Sequence, residues 1–329
     1  MTDLPLDPWL AVVSQGWGLI PRSARWVPPG FSGAAVARIE TPSGPLALRI
    51  WPAEGPSPEQ LDWIHAQQRH AAQTCPFVPR LIPTRTGKTR LRHAGRWCEL
   101  ATWQPGTADF RLQPTPQRLQ AALAGLALVH EAWSHAPPRQ EPCPAVLRRL
   151  DRLVGWTAAD DTALAQRLAL HPDPDQVALA RQAWLLLRTH RATAQVRLSP
   201  WRNRPVPLQP CLTDVWSDHV LFVDDKLTGL VDFGGLRWDH VAVDLARLIG
   251  SLVDGDTQAW SLALAAYARH RRLEPATGDL ARLLDRTGQL AAVATWLRTL
   301  VLEPRPLADP GRAWARLAQC TLRLTQDGV

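Results

Sequence analysis

Apolar and polar positions change their period along the chain. From 26 to 52 the stretch WVPPGFSGAAVARIETPSGPLALRIWP alternates apolar with small or polar residues about turns of Gly, Pro and Ser. That two-residue period belongs to strands with one buried face, and it predicts a short strand near Trp26, one over 35–40 and one over 46–51. Two further strands are expected over 81–84 and 96–103, followed by the turn Gln104, Pro105, Gly106. Between them SPEQLDWIHAQQRHAAQ has Ser57 as a cap, Pro58 at the first helical position and Gln60 three residues after the cap, which together start a helix. Residues 1–104 therefore read as a small, mostly antiparallel sheet with one helix across it.

Beyond Gly106 the period lengthens. Leu119, Leu123, Leu126 and Val129 recur at helical spacing, with similar faces at 146–156, 163–170 and 176–189, then at 243–252, 258–271, 279–302 and 310–324. No repeat of solenoid length is present, and the Pro-rich pieces near 136–144 and 199–210 read as connections. Residues 105–329 thus form a helical part, interrupted over 211–235 by two short apolar runs, 220–223 and 227–231, parted by Asp224, Asp225 and Lys226. The runs read as a hairpin. It would bring Asp214, before the first strand, and Asp232, after the second, to the same mouth, where two carboxylates can hold a divalent metal and receive a proton.

Composition adds limits rather than detail. At 329 residues and 46% apolar the chain can bury a large core and is long enough for two lobes. Its net charge of +7 comes from scattered arginines, clustered only in RHRR around Arg269, so a basic cleft for a small phosphorylated ligand is favoured over a polyanion partner. Lysine occurs only at Lys88 and Lys226, and Asn203 is the sole asparagine. Cys75, Cys98, Cys143, Cys211 and Cys320 are odd in number with no CxxC pair, which argues for small buried residues rather than disulfides or a zinc knuckle. Sixteen tryptophans, spread from Trp9 to Trp314, read as core filling. No signal-peptide run and no membrane-spanning apolar stretch is seen, so a cytoplasmic protein without a membrane partner is expected.

The order of parts is specific. A sheet-and-one-helix lobe, a strand running into a turn at ELATWQPG, a helical lobe, an Asp before a hairpin and DFG after it resembles the aminoglycoside phosphotransferase and choline kinase-like branch of the protein-kinase fold. LVDFGGLRWDHVAVDLARLIGSL carries the resemblance most sharply, with Asp239 seven residues after Asp232 and Asp244 before LA. The resemblance implies an α+β, two-lobed protein-kinase-like fold: a nucleotide-binding lobe over 1–104 and a helical lobe over 105–329. It also implies ATP, a divalent metal (Mg²⁺ or Mn²⁺) and a small-molecule hydroxyl acceptor. Asp214 would accept the hydroxyl proton and Asp232 would bind the metal that bridges the phosphates. Asp239 and Asp244 are assigned to structure, as tethers or caps. His130, ending the apolar run LALVH, is read as a core or cap histidine. The adenine edge would meet backbone groups around Glu99 and Ala101.

Three departures accompany the matches. Where the family has HGDxxxxNxL, this chain has LTDVWSDHVL, with His219 at the asparagine position. Imidazole is softer than an amide oxygen and suits Mn²⁺ better than Mg²⁺. In the phosphate-binding strand Arg49 stands where the family keeps a lysine, and its acidic partner on the first helix is unclear, Glu59 and Asp62 lying in the first turns and His65 and His70 in the middle. The first turn, GFSGAAV, offers Ser32 and Gly33 to a phosphate without being a full glycine-rich loop.

Two functions follow. One is an ATP-dependent kinase for a small hydroxyl compound. The other, motivated by Arg49 and His219 together, is a nucleotide-binding pseudokinase-like module. RNA binding fits least, because no basic stripe or aromatic platform is visible. Asp254 and Asp256 are the acids that could recognise a cationic amine on the acceptor.

Overall fold

The computed structural model describes residues 5–28, 30, 33–135, 139–305, 307 and 309–327. In chain order it contains α1 (Asp7–Trp17), β1 (Ser23–Trp26), β2 (Ala35–Thr41), β3 (Gly44–Ile50), α2 (Pro58–Thr74), β4 (Leu81–Ile82), β5 (Leu91–His93), β6 (Arg96–Thr102) and α3 (Pro116–Ala132). There follow β7 (Arg139–Pro142), α4 (Pro144–Val154), α5 (Ala158–Ala169), α6 (Pro174–Leu198), β8 (Pro205–Cys211), β9 (Val220–Val223), β10 (Lys226–Leu230) and β11 (Arg237–Asp239). The last helices are α7 (Ala242–Val253), α8 (Thr257–Ala268), α9 (Pro275–Leu297) and α10 (Pro310–Asp327). The fold is the expected mixture of antiparallel sheet and many helices. The chain packs as two compact units, one of residues up to 133 with 218–234, the other of 134–217 with 235 onward.

The first unit is built on an antiparallel sheet of order β1-β2-β3-β6-β4, with β5 also on β6. Ala35, Ala37 and Ile39 of β2, Leu48 and Ile50 of β3 and Cys98 and Leu100 of β6 turn to one face, where α1 covers them with Trp9, Val12, Val13 and Trp17. Burying one such large apolar side chain contributes about 1.5–3 kcal/mol. Helix α2 starts where the sequence places it, the Ser57 hydroxyl accepting from the Gln60 amide at 3.2 Å. The hairpin β9–β10 belongs to this unit. Thr107 and Phe222 exchange backbone hydrogen bonds at 3.0 and 2.9 Å, and Leu230 N donates to Phe77 O at 2.9 Å. Arg118 of α3, 5% exposed, fixes the hairpin turn through the Asp224 carbonyl at 2.8 Å and is neutralised by Asp109 at 2.9 Å.

In the second unit α9 is the axis, burying Leu280, Leu284, Leu290, Val293 and Leu297 with α6, α7 and α10 packed on it. A small sheet of order β11-β8-β7 lies in this unit as well. Here the chain departs from expectation, because the Pro-rich pieces read as connections hold β7 and β8. Prolines are tolerated because each half of β8 has one partner: 205–208 pair with β7 and 209–211 with β11. A proline costs a ladder hydrogen bond only where its N–H would have faced a partner strand.

All five cysteines are free and buried. Trp9, Trp17, Trp51, Trp133, Trp156 and Trp260 fill the core as expected. Others instead support arginines, as Arg139 over Trp238 at 4.0 Å and Arg90 over Trp97 at 4.4 Å. Among the described residues no helix is long and apolar enough to cross a membrane.

Candidate active site

In the sheet unit, the strand alternation of β3 turns Arg49 away from the core residues Leu48 and Ile50. Its Nη1 donates to Asp232 Oδ1 at 2.8 Å, and its guanidinium lies 4.3 Å from the Trp51 ring centre. Asp232 follows β10 with φ 63°, a left-handed conformation that costs about 1–3 kcal/mol outside glycine and clusters at functional sites. Its Oδ1 also accepts from Gly234 N at 3.1 Å. A Cβ at Gly234 would stand 2.5 Å from Arg49 Nη2, so a side chain there would displace the guanidinium. Burial would raise the Asp232 pKa, but Arg49 and His219 outweigh it and hold the carboxyl down to about 2. The His219 Nε2 atom is 3.7 Å from Asp232 Oδ2. An ionised oxygen and an imidazole nitrogen at that separation can share one divalent ion, so the donor set fits a metal.

Behind this pair is a buried carboxylate that sequence reasoning placed by backbone only. Glu99 of β6 stands opposite Arg49 in the ladder. Its Oε2 accepts from Trp51 Nε1 and from His65 Nε2, both at 2.7 Å, and His65 Nδ1 faces Thr89 Oγ1 at 2.7 Å. The middle of α2 therefore contributes His65. Glu59 and Asp62 are engaged elsewhere, Glu59 with Ser57 at 2.8 Å and Asp62 with Arg90 at 2.6 and 2.8 Å. The charge of Arg49 is answered by Asp232 directly and Glu99 at longer range. His65 and its spacing were visible in the sequence, but that it meets Glu99 was not.

Burial acts to raise the Glu99 pKa, yet His65, then Arg49 and Trp51, hold it below the ordinary glutamate range. The ionised form thus stabilises the fold above the unfolded value of about 4.3, and this contribution fades as pH falls through the folded value. Glu99→Gln should cost about 1–3 kcal/mol at neutral pH in urea unfolding, with the gap to wild type narrowing below about pH 4. A gap independent of pH would refute the charged pairing.

The remaining nucleotide-side expectations divide. Gly33 takes the left-handed φ of 71° expected of a turn glycine, while Ser32 lies outside the described residues. Glu99 and Ala101 sit within β6, Ala101 pairing with Ala47 on one side and Leu81 on the other. Glu99 pairs with Arg49 on one side.

In the second unit Asp214 stands on a loop after β8. Thr213 has φ 59°, an outlier for a β-branched residue. It is held there by Asp244 of α7, whose carboxylate accepts from Leu212 N at 2.7 Å and Thr213 N at 2.6 Å, and by Thr213 Oγ1 donating to Gly235 O at 2.7 Å. Asp244 is therefore the tether that the sequence reading made it. Asp239, fully buried, accepts from Ala145 N at 3.2 Å, His240 N at 2.9 Å and Arg148 Nη2 at 2.6 Å. Asp214 itself is open to solvent, with Arg247 Nη2 donating to its Oδ1 at 2.5 Å. His130 is fully buried in α3.

Known proteins place these features in a family. The model of the phosphotransferase enzyme family matches residues 24–283. A homoserine kinase of Parvibaculum lavamentivorans is 35% identical over 107 residues, 31% of this chain and 33% of that protein, so the match spans about a third of the curated relative's length. Among solved structures, spectinomycin phosphotransferase in complex with ADP and spectinomycin superposes with a TM-score of 0.70 at 11% identity, over 99% of this chain and 100% of that one. Amicoumacin kinase in complex with AMP-PNP and Ca²⁺ gives 0.66 at 12% identity, over 97% and 93%. At such identities the likeness is one of fold. With most of its length matched by the family model, the chain belongs to the phosphotransferase enzyme family, the small-molecule kinases of protein-kinase-like fold.

Proposed function

We propose that the chain is an ATP-dependent kinase that moves a γ-phosphoryl group to a hydroxyl of a small molecule. The observation that carries this reading is the ion pair of Arg49 with Asp232, which keeps a cation from β3 beside an ionised carboxylate at the end of β10. Family membership and fold neighbours that were solved with ADP and AMP-PNP support it. Residues 1–104 are the nucleotide-binding lobe in this reading, with Arg49 and Gly33 toward the phosphates and 105–329 carrying the acceptor. The adenine edge is read at backbone groups around Glu99 and Ala101.

Asp232 and His219 would hold the divalent metal, which supplies charge neutralisation of the phosphates when bound. The acceptor oxygen forms the new bond to the γ-phosphorus, the bond to the bridging oxygen breaks with its electron pair leaving on ADP, and Asp214 takes the hydroxyl proton. A nucleotide-binding module without turnover is not favoured, since the family is one of enzymes.

Turnover with Mg²⁺ and Mn²⁺ across hydroxyl acceptors tests the proposal. A protein that binds ATP, transfers nothing and is unaffected by Asp214→Asn would end it. Because His219 offers nitrogen, Mn²⁺ should match or exceed Mg²⁺ in a metal titration, and His219→Asn should shift the preference toward Mg²⁺. Equal response to both metals before and after substitution would remove His219 from the metal site.

A further inference from the structure

The charge around Asp214 bears on what the acceptor carries. Gly235 lies so close to the Asp214 loop that a Cβ there would stand 2.7 Å from the Leu212 carbonyl oxygen and 3.2 Å from Asp214 Cβ. Arg237 is anchored at this point, its Nε donating to Gly235 O at 3.1 Å and its backbone paired opposite Cys211. Arg148 reaches β11 two positions further on, at Asp239, with its side chain 41% exposed. Arg247 joins them from α7 through its contact with Asp214, 43% exposed.

Two of these three arginines are answered by acids, Arg148 by Asp239 at 2.6 Å and Arg247 by Asp214 at 2.5 Å. Asp239 and Asp244 are fully buried and saturated by the hydrogen bonds given above. Asp214 is matched by Arg247. Arg237 is exposed, and among the described residues its two terminal nitrogens have no hydrogen-bond acceptor. The acids that the sequence offered for a cationic acceptor are already used: Asp254 pairs with Arg323 at 3.2 Å, and Asp256 caps α8 through Gln258 N and Ala259 N.

We propose that the acceptor is a small hydroxylated carboxylic acid whose carboxylate is bound by the terminal nitrogens of Arg237, the arginine of the three that holds no ion pair among the described residues. This rests on the reading of Asp214 as the base. A guanidinium fork matches a carboxylate in two parallel hydrogen bonds, which a lysine would not reproduce. The carboxylate takes no part in the bond changes; it orients the hydroxyl. A polycationic acceptor would meet like charge at the same place.

The test compares acids with partners that lack the carboxylate: D-glycerate beside glycerol, L-homoserine beside 3-aminopropan-1-ol, and further hydroxy acids each beside its alcohol. Steady-state kinetics should give at least one acid with kcat/KM roughly 100-fold above its partner. Arg237→Gln should raise KM for that acid about 10- to 100-fold and leave KM for ATP unchanged, with Arg237→Lys intermediate. Calorimetric titration of the same compounds into the nucleotide-free protein reads binding without turnover. Alcohols or the amine transferred as well as the acids would overturn the anionic acceptor and leave the kinase reading intact. Failure of transfer to every compound, with acid binding that Arg237→Gln abolishes, would overturn the kinase reading and uphold the anion site. Neither acid transfer nor acid binding would overturn the site.

Discussion

Asp232→Ala should lower phosphoryl transfer about 10³-fold, the scale of losing an electrostatic anchor for transition-state charge. Asp232 is the ionised partner of Arg49 and the oxygen donor beside His219. Its removal takes away the proposed metal ligand and leaves Arg49, 14% exposed, without its hydrogen-bonded partner. Two measurements separate these effects. A coupled assay of ADP release reads the loss of turnover, while calorimetry with ADP should show that the metal-dependent part of binding disappears and the metal-free part, carried by Arg49, persists. Because the Asp232 pKa is depressed to about 2, its ionised form stabilises the fold above the unfolded value of about 3.9 and is lost only as pH falls toward 2. No acid limb of the pH–rate profile near neutrality should belong to Asp232. Turnover of the Ala variant within a few-fold of wild type would refute the role.

Asp214→Asn should reduce kcat by about 10²- to 10⁴-fold, the usual contribution of a positioned proton acceptor. The substitution keeps the shape of the side chain and removes its capacity to take a proton. Nucleotide affinity should not change, because the bases and phosphates of the nucleotide are assigned to the other unit. Stability should change little as well. The Asp214–Arg247 pair has side chains 61% and 43% exposed, and such pairs contribute about 0–1 kcal/mol. Equal loss of kcat and of nucleotide binding would point instead to collapse of the loop that Asp244 and Thr213 hold, and Asp214→Asn with full activity would exclude a base role.

Much of the architecture could be read from residue patterns. The Ser57 cap, the β2 and β3 alternation and the hairpin over 220–231 all have local causes, and they form with bounds within a residue or two of expectation. Helix α1 also carried its signal, in Trp9, Val12, Val13 and Trp17 at helical spacing, but it sits in a stretch read only for a targeting peptide. Strands β7 and β8 were unreadable for a different reason. Proline is excluded from a strand by the hydrogen bond it cannot donate, and whether that bond is needed depends on which neighbour lies on each side.

The site divides in the same way. Arg49, Asp232 and His219 were named from order and spacing along the chain, since a motif fixes which residue types stand at which distance in sequence. That Glu99 lies under Arg49 with His65 and Trp51 required the ladder register between β3 and β6. The contacts of Arg148, Arg237 and Arg247 required α4 to meet β11, and α7 to meet the loop that carries Asp214. Sequence alone determined the family and most of the local elements, because these depend on short-range pattern. The partners of each charge were decided by tertiary structure, because electrostatic pairing depends on distance and burial in space, which only the packed chain defines.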